Sequence, residues 1–174
     1  MLKIFNDLRP FFEDCYNRIN VREYSKIIKV SPPTASTLLN YYKKEGLLLM
    51  EEYRNNLLYY ANKDNKYFIH LSRLYWNYKM EELFLYLEEN LVNPTLVLFG
   101  SLSKAEAKVD SDIDLAIFSI KKNIDFQKFE KIYKRKIQIF WFKSINDIKD
   151  IELSNNIING YVMLGKLEWT GKDV

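Results

Sequence analysis

LVLFGSLSKAEAKVDSDIDLAIF, running from Leu96 to Phe118, places two apolar β-like runs on either side of a polar loop. The first run closes on Gly100-Ser101 and the second opens on Asp112 and Asp114. On a strand, residues i and i+2 share a face, so the two aspartates present their carboxylates side by side while Ile113 and Leu115 turn to the core. Two such acids repel each other unless a cation lies between them. Hard oxygen ligands on a rigid strand suit Mg²⁺, which takes one or two protein carboxylates and completes its shell with water and substrate phosphate. Gly100-Ser101 forms a tight turn whose backbone N–H groups and hydroxyl approach a triphosphate unobstructed by a Cβ. A metal pair beside a phosphate cradle implies nucleotidyl transfer.

The string Gly-Ser, ten intervening residues, then Asp-Ile-Asp resembles the signature of the DNA polymerase beta-like nucleotidyltransferase superfamily, above all its minimal nucleotidyltransferase branch, GS-x-A-R-G-E-A-x-x-D-S-D-I-D-L. Gly100, Ser101, Glu106, Ala107, Asp110, Ser111, Asp112, Ile113, Asp114 and Leu115 match, with Lys104 where Arg is usual and Ala105 where Gly is usual. The resemblance implies an α+β fold, a small mixed sheet with flanking helices. It also implies Mg²⁺-dependent transfer of a nucleoside monophosphate from a nucleoside triphosphate, ATP being the expected one, to an acceptor hydroxyl. Asp112 and Asp114 would be catalytic and hold the metal, and Gly100, Ser101 and Lys104 would meet the nucleotide. Some members of that branch are antitoxins that nucleotidylate a partner toxin, so a cognate toxin is one implied acceptor and a nucleic acid another.

In that family a third carboxylate lies on a neighbouring strand. The matching run here is KIQIFWF, Lys136 to Phe142, in which Lys136, Gln138, Phe140 and Phe142 share one face. The expected acid is therefore Gln138, whose neutral amide cannot take a proton from an attacking hydroxyl. Asp110 and Glu106 are weaker substitutes. Two readings follow: an enzyme working with two aspartates, or a nucleotide-binding domain that has lost transfer.

The chain has 174 residues, 48% of them hydrophobic and 16% aromatic, enough for one large or two small buried cores. Cys15 is the single cysteine, which rules out an internal disulfide and points to a small buried residue in a reducing interior. No apolar run is long enough for a membrane span, and MLKIFNDLRPFFED carries acids where a secretory segment is apolar. A cytoplasmic protein is expected. The net charge is +3, too mild to argue for nucleic acid by itself. All the excess lies in residues 1–66, with eleven Lys and Arg against eight acids, whereas the remainder holds fifteen of each.

That first stretch reads as a separate domain. Phe5 to Ile19 is helical, with Pro10 as a kink or boundary. Asn20 caps VREYSKIIKV, and Ser31 with Pro32 starts a second helix, SPPTASTLLNYYKKEG, ending at Gly46. In it Ala35, Leu38, Leu39 and Tyr42 form the inner face, leaving Thr34, Ser36, Thr37, Asn40, Tyr41, Lys43 and Lys44 outward. LLLMEEY and LLYYANKDN around Arg54-Asn55-Asn56 read as a β-hairpin with a basic tip. Helix, turn, helix and hairpin resemble a winged helix-turn-helix domain. The resemblance implies that the outward residues of Ser31 to Glu45 contact DNA bases and phosphates and that Arg54 on the wing touches the backbone. The same fold also serves as a docking or dimerisation module, and a gene regulator with a non-catalytic nucleotidyltransferase fold is the second functional reading.

Residues 67–92 are expected as a connecting helix, too apolar for a single stripe and so suited to packing on both domains or to a homodimer contact. It holds His70, the only histidine, taken as solvated or packed. Residues 93–174 form the nucleotidyltransferase-like domain: a helix over Ile124 to Lys134, a strand over Lys136 to Phe142, and a C-terminal segment, SINDIKDIELSNNIINGYVMLGK, resembling the family's closing helix.

Overall fold

A computed structural model describes residues 2–168. Met1 and residues 169–174, the last of the expected second domain, lie outside the described residues. The chain divides into two compact units, one formed by Met1–Tyr75 with Ala105–Val109, the other by Trp76–Lys104 with Asp110–Val174. The loop segment Ala105–Val109, expected in the nucleotidyltransferase-like domain, thus belongs to the first unit, where the Cys15 N–H donates to the Ala107 carbonyl at 2.8 Å.

The first unit opens with α1 (Lys3–Glu13), and Pro10 lies inside it rather than ending it. Leu8, Phe11 and Phe12 of this helix are fully buried, and that burial offsets the one backbone donor that proline lacks. α2 (Val21–Ile28) starts on a capping box in which Asn20 and Glu23 exchange side-chain and backbone bonds, satisfying two of the N–H groups a helix start leaves open. Lys29, in the left-handed region at φ 59°, ends it. α3 (Pro32–Lys44) is capped by the Ser31 hydroxyl, which accepts from the Thr34 N–H. Its buried face is Ala35, Leu39 and Tyr42.

β1 (Leu48–Tyr53) and β2 (Asn56–Ala61) pair antiparallel from Leu48–Ala61 to Tyr53–Asn56. The turn is therefore two residues, Arg54-Asn55, both at positive φ (50° and 61°), as the tight primed hairpin requires. Asn56 belongs to the strand and not to the tip. Ile19 adds an isolated bridge to Tyr59.

The expected connecting helix is two helices, α4 (Lys66–Lys79) and α5 (Glu81–Asn90), because Met80 leaves helical geometry at φ −98°, ψ 9° and caps the second. Met80 is fully buried, so the break is fixed by packing. No helix among the described residues is long and apolar enough to cross a membrane.

The second unit is built on a four-stranded mixed sheet in the order β5-β4-β3-β6. Its strands are β3 (Thr95–Phe99), β4 (Ile113–Phe118), β5 (Ile137–Phe142) and β6 (Tyr161–Leu164). β3 runs antiparallel to β4 and β6, while β4 and β5 are parallel. A parallel pair needs a crossover, and α7 (Gln127–Tyr133) supplies it. One face of the sheet carries a buried cluster of Val97, Phe99, Ala116, Phe118, Ile145 and Ile157, with Phe140, Phe142 and Leu153 packed on it. Leu96, Leu98, Leu115 and Ile117, which alternate with the first set, are also fully buried. The closing segment is not one helix: after a 3₁₀ turn (Ile145–Asp147) come α8 (Ile151–Ile158) and then β6.

Candidate functional site

The central strands bring the Gly-Ser turn to the aspartates. Phe99, the last residue of β3, stands opposite Asp114, and the chain then turns through Gly100 at φ +69° into the one-turn helix α6 (Gly100–Ser103). A Cβ on Gly100 would lie 2.1 Å from the Asp114 Oδ2, far inside contact distance. Glycine here makes room for a carboxylate. Ser103 donates its hydroxyl to the Gly100 carbonyl at 2.9 Å and holds the turn closed. Ser101 is half-buried beside it.

Asp112, just before β4, is exposed, and Asp114, the second residue of that strand, is half-buried. Burial of Asp114, and secondarily the Asp112 carboxylate, push its pKa above the usual carboxylate range. The Asp112 carboxylate thus makes ionisation of Asp114 costlier, and a cation beside Asp114 would relieve that cost. Lys104 is exposed and reaches α8, its ammonium donating to Asn156 Oδ1 at 3.0 Å. Asn156 had no signal in the sequence, since an asparagine in a helix is ordinary until a partner appears.

β5 pairs with β4 so that Gln138 is in register with Asp114. The position flanking the second aspartate on the neighbouring strand is thus an exposed amide. No group of three or more His, Cys, Asp or Glu able to hold a metal occurs among the described residues, so neither Asp110 nor Glu106 completes a set with Asp112 and Asp114. Two carboxylates facing a Cβ-free turn fit Mg²⁺, which needs only one or two protein acids; they leave the rest of its shell to phosphate and water.

Two further residues shape the loop before β4. Arg135 is buried, its Nη1 donating to the Ser111 carbonyl at 2.6 Å and its guanidinium lying 5.2 Å from the Trp76 ring centre. The Ile113 N–H donates to the Lys136 carbonyl at 2.8 Å. Asp112 is therefore held between two anchored neighbours. Within a KRK run nothing in the sequence marks the middle residue as the buried one.

In the first unit, Thr34, Thr37, Asn40, Tyr41, Lys43 and Lys44 on α3 are exposed, whereas Ser36 is only partly so. Several are already engaged. Thr37 donates to the Pro33 carbonyl at 3.1 Å, the Ser31 and Thr34 hydroxyls share a 2.8 Å bond, and Asn40 Oδ1 accepts from the Tyr59 hydroxyl at 2.9 Å. Asn40 thus ties α3 to the hairpin instead of standing free. Arg54 is exposed at the turn, 5.1 Å from the Tyr53 ring centre. His70 is exposed and Cys15 buried.

A family model described as Polymerase beta, Nucleotidyltransferase matches residues 81–167. No curated protein and no solved structure matches the chain.

Proposed function

The chain belongs to the polymerase beta nucleotidyltransferase family, and from that premise we propose that it transfers a nucleoside monophosphate from a nucleoside triphosphate to an acceptor hydroxyl. The observation that carries this reading is the fit of Gly100 against Asp114, with the Asp112 carboxylate, just before β4, close enough to raise its pKa. Asp112 and Asp114 would hold Mg²⁺. When bound, the ion supplies positive charge against the phosphate oxygens where negative charge develops. Gly100 and Ser101 would bind and orient the phosphates, with Lys104 close by through its bond to Asn156. Gln138 would orient by hydrogen bonding, and the hydroxyl proton would leave to water, since an amide accepts none.

Isothermal titration of ATP, GTP, CTP and UTP with Mg²⁺ into the wild type and the Asp112→Asn/Asp114→Asn variant tests this. Binding of one nucleotide that disappears in the variant is expected; wild-type behaviour from the variant overturns the assignment.

The register of Gln138 with Asp114 favours a second reading, a nucleotide-binding regulator without transfer. The helix pair, the hairpin and the Ile19–Tyr59 bridge support a winged helix-turn-helix reading of the first unit. There Thr34, Ser36, Thr37, Asn40, Tyr41, Lys43 and Lys44 would meet DNA from α3 and Arg54 from the hairpin turn. A gel-shift salt series separates the two: duplex binding that is lost in Lys43→Ala/Arg54→Ala, combined with nucleotide binding but no transfer, selects the regulator.

A further inference from the structure

β5 lies at one edge of the four-stranded sheet. The Ile113 N–H donates to the Lys136 carbonyl and the Ser119 N–H to the Phe142 carbonyl, so the even-numbered residues of β5 turn their backbone groups to β4. In a parallel ladder the alternate residues face away, which leaves Ile137, Ile139 and Trp141 on the edge. The Ile137 N–H is taken by Glu130 Oε1 at 2.9 Å, but the N–H and C=O groups of Ile139 and Trp141 have no partner among the described residues. Their side chains are half-buried, as are those of Phe140 and Phe142 on the other face, so apolar surface is open on both sides of the edge. β6, the opposite edge strand, has four residues and a register shift against β3, and short or irregular edges discourage pairing. β5 has six residues in unbroken register, with neither proline nor charge among them. Cations flank it instead. Residues 131–146 hold four lysines, one arginine and no acid. Lys134 and Lys136 precede the strand and Lys143 follows it; all three are exposed, and their ammonium groups have no hydrogen-bond or ion-pair partner among the described residues.

We propose that the β5 edge takes up an extended segment of a partner protein as a fifth strand, apolar in its middle and acidic at both ends. The open N–H and C=O groups of Ile139 and Trp141 fix the backbone of the incoming strand, and its alternating side chains extend the two apolar faces of β5. Acids at its ends meet Lys136 and Lys143 whichever direction it runs. Charge complementarity selects this occupant over a second copy of the chain, because an antiparallel β5 pair about a two-fold axis sets the lysine-flanked ends against each other. A polynucleotide suits the edge less: its phosphates answer the lysines and leave the amide row and the apolar faces unmatched. Strand addition uses neither nucleotide nor metal, so it stands whether or not the chain transfers nucleotides.

The test uses the full chain and a fluorescent peptide of about ten residues, a strand with its flanks, carrying glutamates at both ends and alternating valine and threonine between them. Anisotropy compares it with a form bearing lysines in place of the glutamates, and with a form whose central backbone nitrogens are methylated, which keeps charge and side chains but donates nothing to the edge. In the protein, Ile139→Pro deletes an edge donor at a position where strands tolerate proline, and Lys136→Glu/Lys143→Glu reverses the flanking charge through exposed side chains alone. The second variant decides the matter if the proline lowers the thermal midpoint. The expected result is binding of the glutamate-flanked peptide, weakened about tenfold or more by backbone methylation, since several backbone hydrogen bonds are lost together, and a switch of preference to the lysine-flanked peptide in the charge-reversed variant. Absence of binding to the wild type, equal affinity for the methylated form, or an unchanged preference in the charge-reversed variant each overturns the proposal. A dimer seen by light scattering that Ile139→Pro dissociates also overturns it, by giving the edge to a second copy, and so does a single-stranded oligonucleotide that displaces the peptide as well as unlabelled peptide does.

Discussion

The backbone of Gly100 passes so close to Asp114 that a methyl group on the glycine would stand 2.1 Å from the carboxylate Oδ2. Gly100→Ala must therefore push the carboxylate aside as well as hold alanine at φ +69°, a conformation that costs about 1–2 kcal/mol for an L side chain. Loss of Mg²⁺-dependent nucleotide binding, together with a lowered thermal midpoint, is expected. Gly46→Ala is the control. It suffers a similar φ, +73°, but its nearest obstacle is the Asn65 side chain at 3.3 Å, so it should lose stability and keep nucleotide affinity.

Asp114 carries a pH signature of opposite sign to that of a salt-bridged acid. Its pKa is raised in the fold by burial and by Asp112. The neutral form is thus the one the fold favours: its contribution is complete below the unfolded value of about 3.9 and is lost as pH rises through the folded value. At neutral pH in metal-free buffer, Asp114→Asn should raise the thermal midpoint, and the gain should vanish as the pH falls toward 4. Adding Mg²⁺ should stabilise the wild type more than the variant. Thermal melts across pH with and without the ion measure both effects.

Gln138→Asp would put a third carboxylate in register with Asp114. Without metal the added charge should lower the thermal midpoint by repulsion. With divalent cation it should tighten binding by about tenfold, since ligand charge count sets affinity at oxygen sites. Titration of Mg²⁺ or Mn²⁺ into wild type and variant reads this directly, and equal affinities would show that residue 138 does not reach the ion.

A buried carboxylate governs the first unit. Asp7 is 3% exposed, its Oδ2 accepting from the Tyr42 hydroxyl at 2.8 Å and its carbonyl from the Tyr24 hydroxyl at 2.9 Å. These bonds tie α1 to α3 and to α2. Burial, followed by the bond to Asp7, drives the Tyr42 phenol above its ordinary range. Tyr42→Phe leaves the acid short of its partner and should cost about 2 kcal/mol, whereas Tyr24→Phe removes a bond to a neutral carbonyl and should cost about 1 kcal/mol. Urea denaturation of the two single variants ranks them.

The features legible in the sequence are those set by near neighbours. Two acids at strand spacing, the Gly-Ser turn and the Ser31-Pro32 helix start each depend on a few adjacent residues, and each appears where the local pattern put it. Gln138 was found because β5 alternates cleanly, and only the parallel register sets it beside Asp114. What escaped depends on distant partners. β6 is four residues whose strand character comes from pairing with β3, Leu98 meeting Tyr161. The break at Met80 and the burial of Asp7 and Arg135 are likewise imposed by packing, and in sequence Asp7 looks like any solvated helix acid. Segment Ala105–Val109 joins the first unit through contacts such as Cys15 to Ala107, which no local signal announces.

The pairing of β3 with β6 also dictates an order of events during synthesis. Val97 and Phe99 emerge 60 and 58 residues before Ile157, which caps their cluster, and β3 meets its outer neighbour only at Tyr161. Until then a strand of five apolar-facing residues, TLVLF, has an open edge and an uncovered face, the state in which nascent chains are most prone to aggregate. Closing so long a loop carries an entropic cost that its contacts repay only at the end, so a ribosome pausing before α8 would hold the half-made sheet at its most vulnerable, and that is where a chaperone that shields apolar strands would act.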